Sequence, residues 1–122
     1  MEILQEQKDL WRVLSIIIPT LNAAHGLEPT VAAVRASKLV SEILVVDGGS
    51  VDGTQECANS LGARVIASLP GRGAQLSVGA EEAKGEWFLF LHADTILEPD
   101  WDDSLLAFTT AELSSSQAGY FK

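Results

Sequence analysis

The sequence predicts an α/β fold, a mainly parallel Rossmann-like sheet with helices on both faces. Short apolar runs rich in β-branched and aromatic residues alternate four times with segments whose apolar residues recur at helical spacing. Three of those runs end in small and polar residues: Pro19-Thr20-Leu21-Asn22, Asp47-Gly48-Gly49-Ser50 and His92-Ala93-Asp94. In a parallel sheet all carboxyl ends point the same way, so the three clusters are expected to share one edge, where open α/β sheets place their ligand sites.

Val13 to Ile18 reads as the first strand, closed by Pro19, whose missing N–H ends ladder donation. A loop from Pro19 to Gly26, with His25 solvated in it, leads to a first helix ending near Ser37. That helix places Leu27, Val31 and Val34 on one face and Pro29 in its first turn. Glu42 to Val46 is a second buried strand. In the helix after it, Asp52 and Gln55 form a capping box, Cys57, Ala58 and Leu61 share a face, and Gly62 is the stop. Arg64 to Ala67 is a third strand and Pro70 to Gly73 a loop. Leu76, Ala80 and Ala83 then mark a third helix closed by Gly85. Trp87 to Leu91 is a fully buried fourth strand that delivers His92 and Asp94 at its end. Glu98-Pro99-Asp100 opens another helix, with Asp100, Asp102 and Asp103 near its positive end and Trp101, Leu105 and Phe108 as its apolar face. Ser114-Ser115-Ser116 breaks that pattern, and Gly119 to Lys122 begins a further strand.

Composition narrows the classes of function. At 122 residues, 47% hydrophobic and 20% charged, the chain is expected to hold one globular domain over residues 13–122 behind an N-terminal extension of residues 1–12. The net charge of −9 repels nucleic acid and anionic membrane surfaces, so a polyanionic ligand needs a local basic site or a bridging cation. Cys57 is the single cysteine and reads as a buried structural thiol in a reducing compartment. Met1 to Arg12 has no continuous apolar core, and no apolar run approaches the roughly 20 residues of a transmembrane span. A cytoplasmic location is expected.

The motifs narrow them further. No G-x-G-x-x-G follows the first strand and no G-x-x-x-x-G-K-[ST] occurs, which disfavours dehydrogenases and P-loop enzymes. Spacing gives no support for Ser-His-Asp catalysis. His92 and Asp94 are potential metal ligands, although a strand-end hydrogen bond and a turn account for the same residues; Asp47 and Asn22 likewise read as site residues or turn formers. Gly71-Arg72-Gly73 puts a cation at the start of a helix, where a phosphate is welcome.

Three motifs in order, Ser15-Ile16-Ile17-Ile18-Pro19-Thr20-Leu21-Asn22, Val45-Val46-Asp47-Gly48-Gly49-Ser50-Val51-Asp52-Gly53-Thr54 and Gly85-Glu86-Trp87-Phe88-Leu89-Phe90-Leu91-His92-Ala93-Asp94-Thr95, resemble the family-2 glycosyltransferases of GT-A fold. The resemblance spans about residue 13 to residue 122. It implies a truncated GT-A domain, the N-terminal nucleotide-sugar-binding portion, taking a nucleotide-diphosphate sugar of UDP type. Pro19, Thr20, Asn22, Asp47, Gly49 and Ser50 would hold nucleobase and ribose, with Arg72 and Ala93 at the diphosphate. Asp94, helped by His92, would bind Mn²⁺ or Mg²⁺, His92 suiting Mn²⁺ better. The chain departs from the family pattern at Ala23 and Gly48, where acidic residues are common, and at His92, where the family's metal motif begins with an aspartate.

The resemblance therefore implies metal-assisted, inverting sugar transfer to an unknown acceptor, with this chain binding donor and the acceptor half and general base lying elsewhere. A non-catalytic scaffold of the same fold and a nucleotidyltransferase are the alternatives. An uncovered sheet edge leads us to expect self-association.

Overall fold

The computed structural model describes residues 14–103 and 119–120. The expected extension over residues 1–12, the apolar positions Leu105 and Phe108, the serine break, and Phe121 and Lys122 lie outside the described residues. Elements run in the order β1 (Leu14–Thr20), α1 (Ala24–Arg35), β2 (Val40–Asp47), α2 (Thr54–Ser60), β3 (Arg64–Ala67), α3 (Arg72–Glu82), β4 (Trp87–Phe90) and β5 (Gly119–Tyr120). The five strands form one parallel sheet in the order β3-β2-β1-β4-β5.

This strand order fixes which face each helix covers. The chain steps from β1 to β2 to β3 in one direction and then returns past β1 to β4, so right-handed crossovers put α1 and α2 on one face and α3 on the other. The side chains agree. Ile16, Ile18, Ile43, Val45, Leu89 and Leu91 pack against Leu27, Val31 and Val34 of α1 and Ala58 of α2. Alternate strand residues, Ile17, Leu44, Val46, Phe88 and Phe90, face Leu76 and Val78 of α3. The reversal of direction lies between β1 and β4, and the crevice of such a sheet opens there, at the carboxyl ends of its strands.

Several element boundaries differ from those read in the sequence. β1 runs through Pro19 to Thr20 instead of ending at Ile18. Leu91 N–H donates to the Ile17 carbonyl at 3.0 Å, so Ile17, and Pro19 two residues on, turn their backbone groups toward β4. Pairing with β4 ends at Phe90, and on the other side Gly48 N–H donates to the Thr20 carbonyl at 3.0 Å. The proline therefore removes a donor only where its partner strand has already stopped. α1 begins at Ala24, which takes His25 into the helix as an exposed residue and Pro29 out of the first turn to a solvent-facing position further in.

The fourth strand is buried on one side only: Trp87 and Leu89 are enclosed, while Phe88 and Phe90 are half-buried and meet edge to face, with ring centroids 6.5 Å apart. Cys57 is half-buried rather than enclosed, and its thiol is free. α2 ends as expected: Gly62 at φ +88 follows it, Ala63 N–H reaches the Ala58 carbonyl and Gly62 N–H that of Asn59, each in a left-handed stop. Residues 101–103 are helical and Trp101 is buried against the α1 side of the core.

Helix α3 lies unusually close to the sheet, because its buried seam is Gln75 and Gly79 and not the expected Leu76, Ala80 and Ala83, which are half-buried. A Cβ at residue 79 would stand 2.5 Å from Ile17 Cγ2 and 3.2 Å from Val46 Cγ2. Gly79→Ala is therefore expected to lower the unfolding free energy by about 1–3 kcal/mol, the range for overpacking a tight contact. Urea denaturation measures it, and an unchanged midpoint would mean that α3 does not sit this close.

Candidate functional site

The carboxyl edge is built around Asp47, the last residue of β2. Its side chain is fully enclosed, at 0% exposure, and both carboxylate oxygens are saturated. Oδ1 accepts from the hydroxyls of Thr20 at 2.7 Å and Ser50 at 2.5 Å. Oδ2 accepts from the backbone N–H groups of Gly49 at 3.1 Å and Ser50 at 2.8 Å, and from Gln55 Nε2 at 2.9 Å. Burial alone would push this carboxyl up, but the bonds from Ser50, Gln55 and Thr20 outweigh it and hold the pKa at about 2. Asp47, expected to contact the donor, is enclosed and turns its carboxylate inward onto the Gly49–Ser50 loop.

The organised loop then captures the one after β1. Asn22, at φ 53, adopts the left-handed conformation that asparagine tolerates. Its N–H donates to Ser50 Oγ at 2.7 Å and its Oδ1 accepts from Val51 N–H at 2.9 Å. The first N–H groups of α1 are satisfied from the same loop, Ala23 by Thr54 Oγ1 at 2.9 Å and Ala24 by Asp52 Oδ2 at 3.1 Å. The expected capping box is absent: Gly53 occupies the N-cap of α2, and Gln55 turns to Asp47. Asp52 instead accepts from the backbone and hydroxyl of Thr54, and that hydroxyl holds its carboxyl below the usual range.

At the end of β4, residues 92–95 form a tight turn in which the Thr95 N–H and hydroxyl both donate to the His92 carbonyl, at 3.1 and 2.8 Å. Thr30 of α1 braces this turn: its hydroxyl lies 2.8 Å from the Ala93 carbonyl and 2.9 Å from that of Thr95 and donates to one at a time. A Cβ on Gly26 would stand 3.1 Å from that of Asp94, so α1 packs directly against the turn. Asp94 and His92 are exposed. Arg72, the first residue of α3, comes across to His92, with Nη1 3.3 Å from Nδ1 and Nη2 3.0 Å from Nε2.

Gln75, one turn along α3, is buried, a residue to which sequence spacing gives no role. Its Nε2 donates to the carbonyls of Thr20 and Val46, both at 2.8 Å, tying α3 to the ends of β1 and β2. A Cβ on Gly48 would press on Gln75 Cδ at 3.2 Å, so a bare residue 48 and a glutamine at 75 fit one another. A polar residue on the sheet-facing side of an otherwise amphipathic helix was the available signal.

The donor chemistry suits a hard divalent cation. Asp94 offers an exposed carboxylate, the type of ligand that Mg²⁺ and Mn²⁺ take, and such ions are held by one or two carboxylates with substrate phosphates and water completing the shell. Among the described residues no three His, Cys, Asp or Glu side chains cluster as a self-sufficient metal cage. Asp94 therefore fits a cation shared with a phosphate, whereas the nitrogens of His92 face Arg72.

Comparison with known proteins places the chain among sequences and structures of one kind. The sequence profile described as Glycosyl transferase family 2 matches residues 15–117. A PGL/p-HBAD biosynthesis glycosyltransferase of Mycobacterium bovis is 38% identical over 93 residues, covering 70% of this chain and 36% of that protein. Glucosyl-3-phosphoglycerate synthase of Mycobacterium tuberculosis is 29% identical over 96 residues, covering 70% and 30%. The solved structure of that synthase with Mn²⁺ and UDP-glucose matches with a TM-score of 0.70 at 28% identity, over 92% of this chain and 44% of that one. Mannosyl-3-phosphoglycerate synthase from Rubrobacter xylanophilus gives 0.69 at 26% identity, over 79% and 35%. The chain thus spans about a third of the length of these curated relatives.

The Asp47 cluster sets a pH dependence. Its pKa is about 2 in the folded chain against 3.8 for the free carboxyl, so its contribution, about 2 kcal/mol, is complete above pH 3.8 and disappears as pH falls through 2. Asp47→Asn is uncharged throughout and turns an amide toward five donors. The stability gap between wild type and this variant, measured by urea titration, is expected to be flat above pH 4 or so and to narrow below it. A gap independent of pH down to about 2 would contradict the assigned network.

Proposed function

Because the chain belongs to glycosyl transferase family 2, we propose that its carboxyl edge is the donor site of a metal-assisted transferase that uses a nucleotide-diphosphate sugar of UDP type. The observation that carries this reading is that an exposed carboxylate, Asp94, and an exposed guanidinium, Arg72, held against His92 two residues before Asp94, both stand at the carboxyl edge beside the switch point. It is supported by the structural likeness to a synthase solved with Mn²⁺ and UDP-glucose.

In this proposal the end of β1 at Pro19 and Thr20, with the loops carrying Asn22, Gly49 and Ser50, forms the wall for nucleobase and ribose. Asp47 serves that wall from inside, by holding Ser50 and Gly49 in place. Ala93 and Arg72 border the diphosphate, and Asp94 would hold Mn²⁺ or Mg²⁺. The cation, when bound, supplies charge compensation for the nucleoside diphosphate as it leaves. His92, our other metal candidate, would have to release Arg72 to take that part.

The transfer we propose is inverting, with the acceptor hydroxyl attacking the sugar carbon opposite the departing diphosphate. Acceptor and general base are assigned to no described residue. No helix among the described residues is long and apolar enough to cross a membrane, and a cytoplasmic site, where Cys57 stays reduced, suits this reading.

Isothermal titration of UDP with and without Mn²⁺ tests the assignment. Mn²⁺ is expected to raise the affinity of wild type about tenfold or more and to have no effect on Asp94→Ala, whose exposed position spares the fold. Equal affinities in all four titrations would remove the metal assignment. A thermal shift with nucleoside triphosphates but not diphosphates would favour a nucleotidyltransferase, and none with either a scaffold.

We also propose self-association. The large apolar residues exposed among the described positions, Leu21, Val51, Leu69 and Ile96, each follow one of the strands β1 to β4, and Ile96 is 93% exposed. Light scattering is expected to show a mass that rises with concentration. A strictly monomeric profile at high concentration would count against it.

A further inference from the structure

We propose that His92 is a positioning residue for Arg72: its imidazole holds the guanidinium at the carboxyl edge without cancelling its charge, so that Arg72 compensates a diphosphate independently of the metal. This rests on the donor-site reading above.

Four observations carry it. The guanidinium spans the imidazole, one Nη against each ring nitrogen, at 3.3 and 3.0 Å. Arginine has donors only and stays charged, so a ring nitrogen that bonds to it must accept through its lone pair. A neutral imidazole has one acceptor nitrogen, the other bearing the N–H, so one of the two contacts at most is a hydrogen bond; the hold is directional but weak.

Arg72 also forms no ion pair among the described residues, where the pair present is Arg64 with Glu82. Its charge is intact in a chain of net −9. Both partners stand on fixed supports: Gln75 pins the first turns of α3 to Thr20 and Val46, and the turn bearing His92 is closed by Thr95. Finally, both Arg72 and His92 are exposed, so an incoming anion can reach the guanidinium.

The chemistry of residue 92 decides what Arg72 can do. A carboxylate there would pair with the guanidinium and compete with phosphate for it. A neutral acceptor orients it and yields to phosphate, which brings a full negative charge and two parallel acceptors to the guanidinium where the imidazole brings one lone pair. The same contact engages the lone pair of His92 that a metal ion would need, which leaves Asp94 as the protein's ligand.

The test titrates UDP and uridine against the full chain, in EDTA and in saturating Mn²⁺. Wild type is expected to retain UDP binding in EDTA. There, His92→Ala and Arg72→Ala should each weaken UDP about tenfold, leave uridine unchanged, and combine in the double variant with no further loss. His92→Gln, a neutral acceptor, should restore most of the affinity, and His92→Asp should not. The Mn²⁺ enhancement should survive in His92→Ala.

Loss of that enhancement with the EDTA affinity unchanged would make His92 a metal ligand and overturn the proposal. So would Mn²⁺-dependent binding that vanishes entirely in EDTA, which leaves the donor site itself intact. No binding of UDP under either condition would remove the donor site and this inference together.

Discussion

Much of this structure depends on one buried anion. An ionised carboxylate enclosed in protein is tolerated only where its oxygens are fully hydrogen-bonded, and Asp47 meets that condition by drawing on three separate parts of the chain: Thr20 at the end of β1, Gly49 and Ser50 in its own loop, and Gln55 in α2. The five bonds make those parts one unit, because none can move without leaving the charge exposed to a low-dielectric surrounding. Everything at the β1–β2 side of the edge follows. Ser50, once fixed, receives Asn22, and the ordered loop supplies the Asp52 and Thr54 oxygens that start α1.

A neutral version of the same arrangement fixes the opposite face. Gln75 ties α3 to the carbonyls of Thr20 and Val46, so β1 is gripped at its last residue from both sides of the sheet. The close approach this requires is made by missing side chains, at Gly79 against Ile17 and at Gly48 against Gln75. Arg72 and Gln75 lie one turn apart on α3, which is how packing in the core reaches the guanidinium at the edge.

The alternation of strands and helices was legible because periods of two and 3.6 residues differ plainly even in short runs. The convergence of the three polar strand ends was legible as well, since a parallel sheet leaves them no other edge. The errors share a cause: each was settled by a partner distant in sequence. Pro19 reads locally as a strand end, but which neighbour it faces is a matter of register. Ala24 starts a helix because its N–H is met by Asp52, in a loop beyond the next strand. Asp52 and Gln55 have the spacing of a capping box, yet Gln55 is drawn away by a carboxylate that needs it more. Counting apolar residues favoured Leu76 and Ala80 and passed over Gln75, whose role exists only once β1 and β2 lie beside it. Arg72 and His92 stand out separately in the sequence, and their contact, between α3 and the end of β4, has no trace in spacing.

Those distant partners also determine where positive potential remains on an acidic protein. A helix N-terminus attracts anions when its N–H groups are open. That of α1 is already closed by oxygen from Asp52 and Thr54, one of them a carboxylate held in its charged form. That of α3 has no side-chain cap and begins with Arg72 itself. The β2 loop turns its own donors inward, onto Asp47. Of the features bordering the crevice, then, those that could meet a negatively charged group lie on the β3–α3 side, while the β1–β2 side is saturated and rigid. Such a division suits the proposed ligand, one end neutral and shape-defined and the other anionic: the first would face loops that the buried charge has fixed, the second a guanidinium held loosely enough to respond.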